Sequence, residues 1–222
     1  MTREEQKFAR ELKKPLAKIC KEVGKKRGWK TIAGEQYQVR EGILYVLMVT
    51  QSVWDCHALK VNLYFKPVAL DEIYWEVFQM ADVAAEQPFS FHVRGAFTAR
   101  GLWLPSWQAE IASLEELETV IEGIFDQAEE KVAENQFPDI ASFCLRLEAE
   151  DRDHHALSII LCLLLEEKYP EAMEAIQAAL TRGDNGSFSR ENGRRSIMED
   201  ARDWCAARLA ETNAGKTWAE AH

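Results

Sequence analysis

No stretch of the sequence reaches the run of about eighteen apolar residues that a membrane-spanning helix needs. The N-terminus, MTREEQKFARELKK, is charged where a secretory signal carries an apolar core. The expectation is a cytoplasmic protein with no membrane association. Cysteine is sparse as well. Cys20, Cys56, Cys144, Cys162 and Cys205 are odd in number and widely spaced, with no C-x-x-C pair. That pattern excludes a disulfide framework or zinc knuckle and suits reduced thiols acting as small buried apolar side chains. Also missing are a P-loop, a G-x-G-x-x-G turn, a G-x-S-x-G elbow and any recognisable carboxylate pair. Their absence removes the enzyme classes that announce themselves by motif, though not enzymes as a whole.

What is present is a large apolar fraction, 47%, enough for a proper core in 222 residues, and an uneven charge. Residues 1–30 hold eleven Lys or Arg against four Glu, while the rest of the chain holds 16 basic against 33 acidic residues. The acidic bulk disfavours a dedicated nucleic-acid binder, which needs a basic footprint to displace counterions. The basic segment, with Lys13, Lys14, Lys18, Lys21, Lys25 and Lys26, reads as a solvated helix face.

Phe8, Leu12, Leu16, Ile19 and Val23 recur at helical spacing. Pro15 predicts a kink or break there, and Gly28 a left-handed cap. Strands are expected in KTIAGEQYQVREG, in the continuous apolar run Ile43–Thr50, and in LKVNLYF, where Leu59, Val61, Leu63 and Phe65 alternate with polar neighbours. A short helix follows with Asp71 as N-cap and Tyr74, Val77, Phe78 and Ala81 as its buried stripe. FSFHVRGAF reads as a fourth strand, with His92 and Arg94 sharing the face opposite Phe91 and Val93. GLWLPSW reads as a loop, and Ser113 with Glu116 as a capping box opening a long helix.

From residue 151 the patterning is purely helical. The segment 153–182 is similar to a tetratricopeptide-like hairpin, its two helices meeting at Tyr169 and Pro170, although the consensus tryptophan and glycine of the first helix are missing. RGDNGSFSRENG is a loop and RRSIMEDARDWCAARLAE a last helix. The fold class expected is α+β: an N-terminal helix, an antiparallel sheet of four to five strands with covering helices, then a helical C-terminal subdomain. The division is 1–150 and 151–222, the second part either standing alone or sharing the first part's core.

The order LKKPL, GWK, a Tyr-bearing strand, an apolar strand ending near QSVW, and VNLYFKP resembles an uncharacterised bacterial domain family of unknown function, over about residues 7–150. Pro15, Gly28, Trp29, Tyr37, Ser52, Asn62 and Pro67 carry the match. The resemblance implies an α+β domain with an antiparallel sheet and a partner-binding role, immunity-like or regulatory. It supplies no catalytic residues.

Three clusters compete as sites. Asp55, Cys56 and His57 bring together an acid, a thiol and an imidazole, but adjacent residues of an extended segment point to opposite faces, which argues against a shared proton. Asp151, with His154 or His155 at i+3 or i+4, is a weak metal candidate without a third ligand, and Asp153 serves there as an N-cap. His92, Arg94, Arg100, Trp103 and Trp107 combine the residue types enriched at binding hot spots. The reading is a non-enzymatic interaction protein using this last group, with another protein as partner and no cofactor. The alternative is an enzyme with a cysteine- or histidine-centred site.

Overall fold

The computed structural model describes residues 2–95, 97–186, 189–190 and 195–220. It is an α+β protein whose chain forms two units, residues 1–66 with 101–136, and residues 67–100 with 137–222.

The first unit opens with helix α1 (Arg3–Lys26). Thr2 caps it: its hydroxyl accepts the Glu5 N–H at 3.2 Å, while the Glu5 carboxylate accepts the Thr2 N–H. Leu12, Leu16, Cys20 and Val23 form the buried face. Pro15 does not divide α1 into two abutting helices; the helix runs continuously through it. The carbonyl deprived of its donor belongs to Glu11, an exposed residue where water can take the donor's place. At the other end Trp29 donates to the Gly24 carbonyl at 2.8 Å and Gly28 to Lys25 at 3.2 Å. Gly28, at φ +80°, supplies the left-handed residue this cap requires.

Four strands follow, β1 (Lys30–Ile32), β2 (Glu35–Arg40), β3 (Ile43–Gln51) and β4 (Ala58–Pro67). Ala33–Gly34 and Glu41–Gly42 join the first three through two-residue turns with positive φ throughout, the geometry whose twist matches paired strands. The expected apolar run is a central strand, with Ile43 to Leu47 buried without alternation, and β4 alternates as its sequence implies.

The tryptophan segment is not a plain loop. β5 (Leu102–Trp103) and β6 (Trp107–Glu110) both pair antiparallel with β4, so that the sheet has six strands among the described residues. Pro105 lies between them, where a residue without an N–H interrupts the pairing. Helix α5 (Leu117–Glu134) begins after the expected capping box, with Glu116 as a cap that makes no side-chain bond. Helices α1 and α5 are linked by Arg27 to Asp126 at 2.6 Å and by the edge of Trp29 on Phe125.

The second unit contains α2 (Ala69–Val77), α3 (Ala81–Ala85), α4 (Ser90–Arg94), α6 (Ile140–Asp151), α7 (Ala156–Leu165), α8 (Tyr169–Thr181) and α9 (Ile197–Glu220). Several expectations are overturned here. Residues 90–94 are helical, so His92 and Arg94 do not share a strand face. Phe91 and His92 donate to the carbonyls of Pro88 and Phe89, and the rings of Phe91 and His92 gather on Trp75, 5.4 and 4.7 Å between centroids. A five-residue alternation is too short to outweigh that aromatic packing. Asp71 is not an N-cap either; it lies inside α2 and is wholly buried, with Val68 at the cap position.

Helices α7 and α8 form the expected hairpin. α7 is apolar nearly all round, and Ala156, Ile159, Ile160, Leu161, Cys162 and Leu164 are all buried, as such a helix must be. Its cap position is His155, not Asp153, whose carboxylate pairs with Arg182 at 3.2 Å. Within the expected loop 182–193, Ser189–Arg190 pairs with Arg195–Ser196, while residues 187–188 and 191–193 lie outside the described residues.

Candidate functional site

Asp55, Cys56 and His57 occupy the connection between β3 and β4, where each is committed to structure. The Asp55 carboxylate accepts the backbone N–H of His57 at 2.8 Å, not its imidazole. Cys56 is buried, and its carbonyl accepts Nε2 of Gln51. The His57 ring stacks on Phe8 at 4.6 Å, with Nδ1 3.1 Å from the Ile111 carbonyl. An acid that fixes a turn and a ring that packs on α1 do not make a thiol–imidazole pair.

Asp151, His154 and His155 lie at the end of α6 and the turn after it. Asp151 accepts the His154 N–H at 3.0 Å. The two rings meet edge to face at 4.9 Å, and burial, then the neighbouring His154, push His155 below its ordinary pKa. No group of three or more His, Cys, Asp or Glu placed to hold a metal occurs among the described residues.

The five residues of the hot-spot expectation divide between the units: His92, Arg94 and Arg100 belong to the second, Trp103 and Trp107 to the first. Arg94 and Arg100 are exposed. Trp103 is half-exposed, 4.9 Å from the Tyr64 ring, and the Lys131 ammonium lies 5.3 Å over Trp107. His92 is held by Asp71, its Nδ1 being 3.0 Å from Oδ2. The other Asp71 oxygen accepts the Ala99 N–H at 2.7 Å. A carboxylate orienting an imidazole is half of a proton-transfer device, but no group hydrogen-bonds the other His92 nitrogen among the described residues.

The more pronounced surface feature was passed over in the sequence. Val53 and Trp54, in the β3–β4 connection, are 82% and 94% exposed. Tryptophan is ordinarily well buried, so that nearly complete exposure at a hairpin tip stands out. The signal lay in SVWD itself, an apolar pair enclosed by polar turn residues. In the same unit a groove of about 430 Å³ runs between α1 and the sheet. Leu16, Ala17 and Cys20 line it from the helix, Met48 and Val49 from β3, with Lys13 and Glu35 among its polar residues. The size is that of sites that take small molecules or peptide side chains. Burial pushes the Cys20 thiol up to about 12, which makes it an inert apolar wall.

Comparison of the chain with protein-family models, curated proteins and solved structures finds no match. No helix among the described residues is long and apolar enough to cross a membrane.

Proposed function

We propose that this chain is a non-enzymatic protein-interaction protein whose binding surface lies on its first unit, at the β3–β4 tip and the adjoining groove. The exposure of Trp54 carries the reading. Tryptophan is among the residues most enriched at interface hot spots, because it offers a large rigid apolar surface at small entropic cost. Here it stands beside Val53, also exposed, on a hairpin braced by Asp55 and Gln51. Burying both side chains in a partner would release apolar area from water without rearranging the sheet. The partner is another protein, in keeping with the acidic balance of the chain.

The test is a photo-crosslinking residue, p-benzoylphenylalanine, placed at position 54 of the full chain in lysate of the source cells. Discrete adducts should form there and not at position 145, where Leu145 is 66% exposed in the second unit. Identical adducts at both positions, or none at 54, would refute the reading.

A further inference from the structure

Helix α1 keeps one face for charges of a single sign. At about 100° per residue, seven side chains of Arg3–Lys26 fall within one arc of about 80°. They are Arg3, Lys7 and Arg10 in the first half and Lys14, Lys18, Lys21 and Lys25 in the second. Every residue in the arc is a cation, and every one is exposed. The row lies opposite the buried face of Leu12, Leu16, Cys20 and Val23, so it looks straight into solvent along about 33 Å of helix.

Repulsion within this row works against the helix. Cations four residues apart, such as Arg10 with Lys14 and Lys14 with Lys18, destabilise a helix about as much as opposite charges would stabilise it. Relief from carboxylates is slight. Among the described residues only Lys7 and Lys18 of the seven have an ion-pair partner, Glu11 and Glu22, each exposed and at 3.9 Å. A face that only kept the helix in water would be served as well by intermixed signs. An anionic surface laid along the row turns the mutual repulsion into attraction.

The surroundings select a protein as the bearer of that surface. Glu4, Glu11 and Glu22 follow one border of the row, where they would repel a line of phosphates but can pair with the mixed side chains of a protein. The arc holds no aromatic side chain to stack on a base. Beyond residue 30 the chain carries 33 acidic against 16 basic residues, which repels a long polyanion more than a local acidic patch. The tip also packs against α1, since the His57 ring stacks on Phe8 at 4.6 Å, shortly after Trp54. We infer that α1 docks an acidic surface of the partner protein, whose Asp and Glu side chains lie along the row from Arg3 to Lys25. This rests on the interaction reading above and deepens it by fixing the partner's charge. Trp54 is the apolar anchor, and the row is the charged rim that sets the rate of approach and its salt dependence.

The test uses the full chain and a variant carrying Lys14→Glu with Lys21→Glu, both exposed and without a carboxylate partner among the described residues. Lys14→Gln with Lys21→Gln is the milder pair, and circular dichroism checks that each folds. Fluorescein-labelled poly-L-glutamate should bind the native chain. Its affinity should fall roughly tenfold or more in the Glu pair, by less in the Gln pair, and on raising salt from about 0.05 M to about 0.5 M. In nuclease-treated lysate the position-54 adduct should form more slowly in both variants, and carbodiimide should couple Lys14, Lys18 or Lys21 to a carboxylate of the same adducted protein. Poly-L-glutamate binding that the substitutions leave unchanged overturns the inference. So does tighter binding of an oligothymidylate of equal charge, or of phosphatidylserine vesicles. An adduct that forms at the native rate in the Glu pair removes the acidic surface and leaves the tip reading. Poly-L-glutamate binding that the Glu pair abolishes, with no adduct at position 54, removes the tip reading and leaves α1 as the docking face.

Discussion

Asp71 and His92 are joined at 3.0 Å although the carboxylate is wholly buried in α2 and the imidazole belongs to a separate short helix. With the second Asp71 oxygen on the Ala99 N–H, one side chain ties both ends of residues 92–99 to α2. A carboxylate only accepts, so Nδ1 of His92 carries the proton.

Asp71→Ala should therefore destabilise the second unit by about 2–4 kcal/mol, since it leaves a buried N–H and an imidazole unsatisfied. Asp71→Asn keeps one acceptor and should lose less. Urea unfolding of the two variants checks the order; equal loss, or none, would show that the tie carries no stability.

Glycine substitutions should split in sign. A Cβ on Gly101 would meet the Phe65 carbonyl at 2.2 Å and the Lys66 Cβ at 2.7 Å, where β4 and β5 approach. The Gly101 N–H also donates to the Tyr64 hydroxyl at 2.7 Å. Gly101→Ala should lower the melting temperature sharply. Gly123 lies within α5 with nothing near a Cβ, so Gly123→Ala should stabilise by about 0.5–1 kcal/mol. Thermal melts of both variants decide it.

Alkali should weaken the fold. Burial pushes Cys20 from 9.0 to about 12, and burial with the nearby Asp71 pushes Tyr74 from 10.0 to about 12. A raised pKa means that the native state holds its proton more tightly than the unfolded chain. That stability is full below pH 9 and is lost as pH rises toward 12. At the acid end the sign reverses: Arg195 holds Asp203 below 3.8, so this contribution is present above that value and lost as pH falls through the lowered one. Urea midpoints across pH should fall on both limbs, and a midpoint independent of pH from 9 to 11 would contradict the assignment.

Thiol labelling should be ordered. All five cysteines are buried. Burial raises Cys20 and Cys205, and hydrogen bonding to Cys144 with burial raises Cys162, whereas Cys144 is lowered by the hydrogen bond from the Cys162 thiol. Iodoacetamide should reach Cys144 before these three, as peptide mass mapping of partly labelled protein would show. Earlier labelling of Cys162 would reverse the donor and acceptor.

Trp54→Ala should leave folding unchanged within about 0.5 kcal/mol, because a side chain so exposed contributes almost no packing. A larger loss, read from the urea midpoint, would make the residue structural.

Much of this architecture was legible by itself. The α1 stripe, the left-handed Gly28, the central apolar strand, the alternation of β4 and the α7–α8 hairpin all follow from local periodicity and turn chemistry, which neighbouring residues fix among themselves. Asp71 held a readable clue, since it shares the apolar stripe of Tyr74 and Phe78, yet a carboxylate beside a helix start reads as a cap unless its distant partner is known. The sequence determined the fold class and the reduced, buried thiols. Tertiary structure decided that residues 90–94 coil into a helix, that β5 and β6 pair on β4, that the hot-spot residues divide between two units, and that β3 outruns β2 beside α1. Each depends on what a segment meets across the chain: an aromatic cluster, a strand edge or the point where a ladder stops, none of which local spacing encodes.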